Sequence, residues 1–134
     1  GHDISPEENQ YQAGLSFTIS NNKNVDFIGK EALKKIDKEK IKTRFAMFTL
    51  KNSKPGEPLL LHDEPIYLEN EIIGRSTSGN YSFNFKKNLT FGYIKNNFTD
   101  EKLKKNKLFI EVEKKKYEIE LINKPLKQTN FKCN

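Results

Sequence analysis

The 134-residue sequence has no tryptophan, one cysteine, two histidines and two arginines, and each shortage excludes something. With Cys133 as the lone thiol, no internal disulfide can form and no cysteine-based metal site can be assembled. A chain without disulfides suits a reducing compartment, so a cytoplasmic location is expected. No apolar run approaches the ~20 residues of a membrane-spanning helix, and no membrane partner is expected. The first residues, Gly1-His2-Asp3-Ile4-Ser5-Pro6-Glu7-Glu8, are polar and acidic, unlike the basic-then-apolar pattern of a secretory leader. They include no initiator methionine, and the sequence is expected to continue from a longer polypeptide.

Apolar residues are also in short supply, at 34% against 31% charged. A single domain of this size still buries roughly two-thirds of its unfolded surface, enough for one core. Its apolar residues are spread in short runs over the whole length, which argues against disorder. The net charge of +6 and the pI near 9.3 invite a nucleic-acid reading. That charge is almost entirely lysine, with Arg44 and Arg75 the only arginines. Readers of nucleic acid favour the forked guanidinium, so a solvated lysine surface is the expectation and a nucleic-acid partner is not.

Along the chain, residues 1–13 form a polar, aperiodic arm. Leu15, Phe17 and Ile19 alternate with polar residues and predict a half-buried strand. Ile28, Ala32, Leu33 and Ile36 share one face and predict a short helix over about 28–38, with lysines toward its C-terminal end. Arg44 to Leu50 carries apolar residues on both faces and predicts a strand paired on both sides. Leu59–Leu61, Ile66–Leu68 and Ile72–Ile73 are short apolar runs, the last two joined tightly through Glu69 and Asn70. Gly74 to Asn80, small and polar, predicts a turn between strands. Leu89 to Ile94 predicts another strand, and Asp100 to Lys107 a helical turn. Leu108, Ile110 and Val112 then pair as a hairpin with Tyr117, Ile119 and Leu121. Six or seven short strands and one short helix make a mainly β domain over 14–126, a small antiparallel Greek-key-type β-barrel, followed by a tail over 127–134.

The chemical inventory is thin. His2 and His62 are 60 positions apart, with no cysteine or carboxylate cluster at ligand spacing. His62-Asp63-Glu64 points its three side chains in different directions and reads as a solvated loop, so no metal is expected. Glu7-Glu8 and Asp63-Glu64 lie in predicted loops without the apolar burial that tunes a general acid. No catalytic residue emerges. Phe83, Phe85, Phe91 and Tyr93 beside Lys86 and Lys87 could make a stacking surface for single-stranded nucleic acid, but such rings are more often core.

Several stretches resemble one known family in order and spacing. They are Gly1-His2-Asp3-Ile4 with Asn9-Gln10-Tyr11-Gln12-Ala13-Gly14-Leu15; Asp26-Phe27-Ile28-Gly29-Lys30-Glu31-Ala32-Leu33; Gly74-Arg75-Ser76-Thr77-Ser78-Gly79 with Leu89-Thr90-Phe91-Gly92-Tyr93-Ile94; and Lys124-Pro125-Leu126. Together they resemble the C-terminal part of the glycine-cleavage T-protein (aminomethyltransferase) family, which includes the folate-binding ends of dimethylglycine and sarcosine dehydrogenases. Glu64-Pro65-Ile66 after Leu59-Leu60-Leu61 is closer to the dehydrogenase-type members. Gln10 and Gln12 depart from the proline and glutamate usual at those positions.

The resemblance implies a C-terminal barrel that closes a tetrahydrofolate cavity and is not catalytic alone. Its partners would be N-terminal folate-binding domains of the same polypeptide and a small-molecule amine substrate, with a flavin in an upstream domain of dehydrogenase-type members. On motif position, Tyr11, Gln12, Ser78, Tyr81 and Phe131 are the residues expected to face the folate. The alternative is a basic β-barrel that serves as a nucleic-acid-binding or protein-interaction module.

Overall fold

In the computed structural model, residues 1–19 and 25–123 are described. Six strands follow one another: β1 Thr43–Leu50, β2 Pro65–Leu68, β3 Glu71–Ser82, β4 Lys87–Lys95, β5 Leu108–Val112 and β6 Lys115–Ile122. All pairings are antiparallel, and the order β1-β4-β3-β2-β5-β6 closes into a barrel. Strands β2, β3 and β4 form successive hairpins, and β5 returns to lie beside β2, which is the Greek-key arrangement. Closure runs through β6 and β1, from Met47 opposite Ile122 to Leu50 opposite Ile119. β1 is therefore paired on both sides, as its two apolar faces predict.

Alternation along the strands decides what lies inside. Phe48, Ile66, Ile73, Ile94 and Ile110 point into the barrel and are almost wholly buried. Fully burying an aliphatic or phenyl side chain contributes roughly 1.5–3 kcal/mol, so these five dominate the core. The β5–β6 turn consists of Glu113 and Lys114, both with positive φ, the backbone that a two-residue hairpin turn requires.

A short helix α2, Asp100–Lys105, plugs one end of the barrel with Leu103, helped by Phe98 just before it. Thr99 caps the helix by accepting from the Lys102 N–H. Arg44 ties it to β1, donating to Asp100 Oδ1 at 2.6 Å and to the Phe98 carbonyl at 3.2 Å. Among the described residues, no helix is long and apolar enough to cross a membrane.

Three local expectations are corrected. Leu15 to Ile19 is not a strand: Ser16–Thr18 forms a 3-10 turn with Phe17 82% exposed, because no neighbouring strand offers that alternation a partner. The helix predicted over 28–38 shortens to α1, Lys30–Lys34, with a separate 3-10 turn at Lys38–Lys40. Its apolar stripe has little to bury against, and Ile28 stands fully in solvent. Gly74 to Asn80 is not a turn but the middle of β3, with a bulge between Ser76 and Ser78. Small residues are needed there because the neighbouring chain comes very close, as at Gly74, where a Cβ would run into the Tyr93 carbonyl oxygen.

Candidate functional site

The outer face of β1, β4 and β3 carries the features that remain unexplained by the core. Phe45, Phe91 and Tyr93 form an aromatic trio there: Phe45 stacks on Phe91 with centroids 5.4 Å apart and meets Tyr93 edge-on at 5.3 Å. Across this face lies the arm of residues 3–12, fastened at both ends. At one end Asp3 Oδ1 accepts from Thr77 Oγ1 at 2.5 Å and Ser78 Oγ at 2.8 Å, and the Asp3 carbonyl accepts from the Tyr93 hydroxyl at 3.0 Å. At the other, the Gln12 carbonyl accepts from the Phe45 N–H at 2.8 Å and Gln12 Nε2 donates to Thr43 Oγ1 at 3.1 Å. Between them, Glu8 accepts from the Ser5 hydroxyl and N–H, which hold its carboxyl below the usual range. Burial, then the charges of Glu8 and Asp3, push the Tyr93 phenol up, so it stays a proton donor.

Beside the arm runs a groove of about 340 Å³ lined by Ser78, Gly79, Asn80, Tyr81, Ser82, Leu89 and Phe91. Phe91 and Leu89 share the outer face with Ser78 and Asn80, while Tyr81, paired with Asn88, lies at the end of the groove on the other face of the strand. Tyr81 meets the exposed ring of Phe83 edge-on at 5.2 Å. Ser78 has its proton engaged by Asp3, so toward the groove it offers only acceptor capacity.

Of the five residues expected from motif position, Ser78 and Tyr81 line this one groove. Tyr11 and Gln12 sit elsewhere. Thr43, which holds Gln12, is four residues up β4 and two strands across from Ser78, about 15 Å away on ordinary strand spacings. The Gln12 side chain is used by Thr43 and by the Asn9 N–H, and the Tyr11 ring lies under Lys38 Nζ at 4.5 Å. Phe131 lies outside the described residues, as do Lys124-Pro125-Leu126 and Cys133.

Sequence distance concealed two other groupings. His2 and His62 stack with centroids 4.7 Å apart, next to Asp63, which pairs with His62 at 2.9 Å and with Arg75 at 3.0 Å. The hydrogen bond with His62 holds the Asp63 carboxyl low against the opposing effect of desolvation, with the Arg75 charge adding to it. No group of three potential metal ligands occurs among the described residues. Asp3 is the second grouping: its partners are 74 to 90 positions away, and only the motif Gly1-His2-Asp3-Ile4 hinted at a role.

These features define a class: a closed Greek-key antiparallel barrel with an arm fastened across its outer face. Residues 44–127 match the glycine cleavage T-protein C-terminal barrel domain, and the chain belongs to that family. It is 34% identical over 94 residues to mitochondrial dimethylglycine dehydrogenase of Mus musculus, covering 70% of this chain and 10% of that protein. It is 30% identical over 132 residues to the aminomethyltransferase of Alkaliphilus metalliredigens, covering 98% of this chain and 34% of that one. The fold matches the crystal structure of glycine cleavage system aminomethyltransferase T from Bartonella henselae with a TM-score of 0.73 at 20% identity, over 98% of this chain and 36% of that one. The chain thus spans between a tenth and about a third of these relatives.

Proposed function

We propose that this barrel is the C-terminal wall of a tetrahydrofolate-dependent enzyme that moves a one-carbon unit from a small amine, and that it is not catalytic by itself. The observation that carries this is the Ser78–Tyr81 groove, which is open on one side and belongs to a family of C-terminal barrels. A folate has a flat pterin, a flat benzoyl group and an acidic tail. The groove supplies what one wall for such a ligand needs: the Phe91 ring for a flat part, Leu89 for apolar contact and the Ser78 acceptor for an N–H, with Tyr81 closing its end. Ligand cavities bury most of a ligand of this size, so the remaining walls would come from other domains of the same polypeptide.

When bound, tetrahydrofolate supplies the nitrogen that accepts the one-carbon unit. The residues of this chain bind and orient, and exclude water from one side. The described residues hold no paired carboxylates with apolar burial, so the acid–base work is assigned to the domains outside this chain. A flavin, which dehydrogenase-type members would use, is likewise assigned outside it. The lysine-rich surface is left solvated in this reading, and the location is expected to be cytoplasmic.

The test uses the longer natural polypeptide. Ser78→Ala with Tyr81→Ala is expected to raise the tetrahydrofolate Kd tenfold or more while leaving the flavin spectrum, where there is one, unchanged. An unaltered folate Kd would refute the proposed wall.

A further inference from the structure

We infer that Asp3 is the clasp that positions the barrel relative to whatever precedes it, an inference that rests on the reading just proposed. Three hydroxyls from two adjacent strands converge on this one residue: Thr77 and Ser78 on its carboxylate, Tyr93 on its carbonyl. Asp3 lies on an otherwise aperiodic segment, and nothing local in the arm satisfies its side chain. A carboxylate receiving two hydroxyl donors makes charge-assisted bonds, stronger than neutral ones. Thr77 is buried and Tyr93 belongs to the aromatic trio, packed edge-on against Phe45, so both are held in place.

The rest of the arm supports the assignment. Gln12 pins the far end to β1, Ala13 is buried, and two turns between them are internally bonded through Ser5–Glu8 and Asn9–Gln12. An arm fixed at one end only would swing. Fixed at both, it becomes a rigid strap, and the direction in which the chain enters at Gly1 is set by the barrel. The clasp also sits at the groove, since Ser78 belongs to both. A displaced Asp3 therefore changes two things together: the bearing of the preceding domain and the hydrogen-bond polarity of the Ser78 hydroxyl. Asp3 touches no reacting atoms in this scheme. It is a positioning residue, and catalytic sites lose efficiency steeply with small misplacements.

The decisive experiment compares Asp3→Asn and Asp3→Glu by amide hydrogen exchange in the 134-residue chain and by kinetics in the longer polypeptide. Asp3→Asn is expected to speed exchange at Ser5, Glu8 and Asn9 at least tenfold, while Phe48 and Ile94 in the core stay as they were. In the longer polypeptide it is expected to raise the tetrahydrofolate KM about tenfold with kcat changed by less than about twofold, and Asp3→Glu should restore part of both. Unchanged exchange in the arm would overturn the clasp. Faster exchange with an unchanged KM would overturn the positioning role. If the unsubstituted polypeptide has no tetrahydrofolate-dependent transfer, the proposed function fails instead, and the exchange result alone decides the clasp.

Discussion

Gly92→Ala is expected to lower the thermal midpoint of this domain by about 10 °C, corresponding to about 3 kcal/mol of lost stability. Gly92 is buried on β4, opposite Ala46 on one side and Ser76 on the other. A methyl group placed on it would overlap the Arg75 carbonyl oxygen and lie 2.9 Å from Ile66 Cδ1. The first obstacle is backbone of the adjacent strand, so no rotamer change relieves it. Relief requires β3 and β4 to separate at the point where β3 is already bulged, between Ser76 and Ser78. Ile66 cannot retreat either, because it is wholly buried. Gly92→Val adds two more carbons in the same space and is expected to cost at least twice as much. Circular dichroism melts of the two variants check this. A midpoint within about 2 °C of the unsubstituted chain would mean the strands can part freely, and the account of their close approach would be wrong.

That close approach also explains which parts of the fold were legible in the sequence. Strands β1, β4, β5 and β6 announce themselves because their alternate residues meet an interior, as with Leu108, Ile110 and Val112. The middle of β3 does not. It carries Gly74 and Gly79 because the neighbouring chain leaves no room for a Cβ at either, and such small, polar composition also marks turns. Leu15, Phe17 and Ile19 failed in the opposite sense, since alternation predicts a strand only where a partner strand exists to receive it. The site divides in the same way. Ser78 and Tyr81 could be named from motif position, and the structure places both on one groove. Asp3 could not be given a role, because its role consists of contacts across more than half the chain. The stacking of His2 on His62 was invisible for the same reason.

A polar residue hidden inside the barrel gives the second large effect. Asn88 is 2% exposed, yet its side chain organises the loop between β1 and β2. Its Oδ1 accepts from the Gly56 N–H at 3.0 Å, and its Nδ2 donates to Ser53 Oγ at 2.8 Å, to the Lys54 carbonyl at 2.6 Å and to the Glu57 carbonyl at 3.2 Å. No buried side-chain polar atom is left unsatisfied among the described residues, so this tie is complete as it stands. Asn88→Ala removes all four bonds at once and strands their partners, at an expected cost of about 3 kcal/mol. Asn88→Asp keeps the shape and discriminates the mechanism. At neutral pH it turns a carboxylate toward the Lys54 and Glu57 carbonyls, with no donor for either, and the loss should equal or exceed that of alanine. Burial and the facing carbonyls raise the folded-state pKa of that new carboxyl above its unfolded value. The neutral acid can donate one hydrogen bond, so the deficit should shrink as the pH falls through the raised pKa, and return as the pH rises. Asn88→Ala should show no such recovery relative to the unsubstituted chain. Melts of the three proteins at pH 7 and pH 5 decide the matter: an aspartate variant as stable as the unsubstituted chain at pH 7 would show that the loop does not depend on the amide donors.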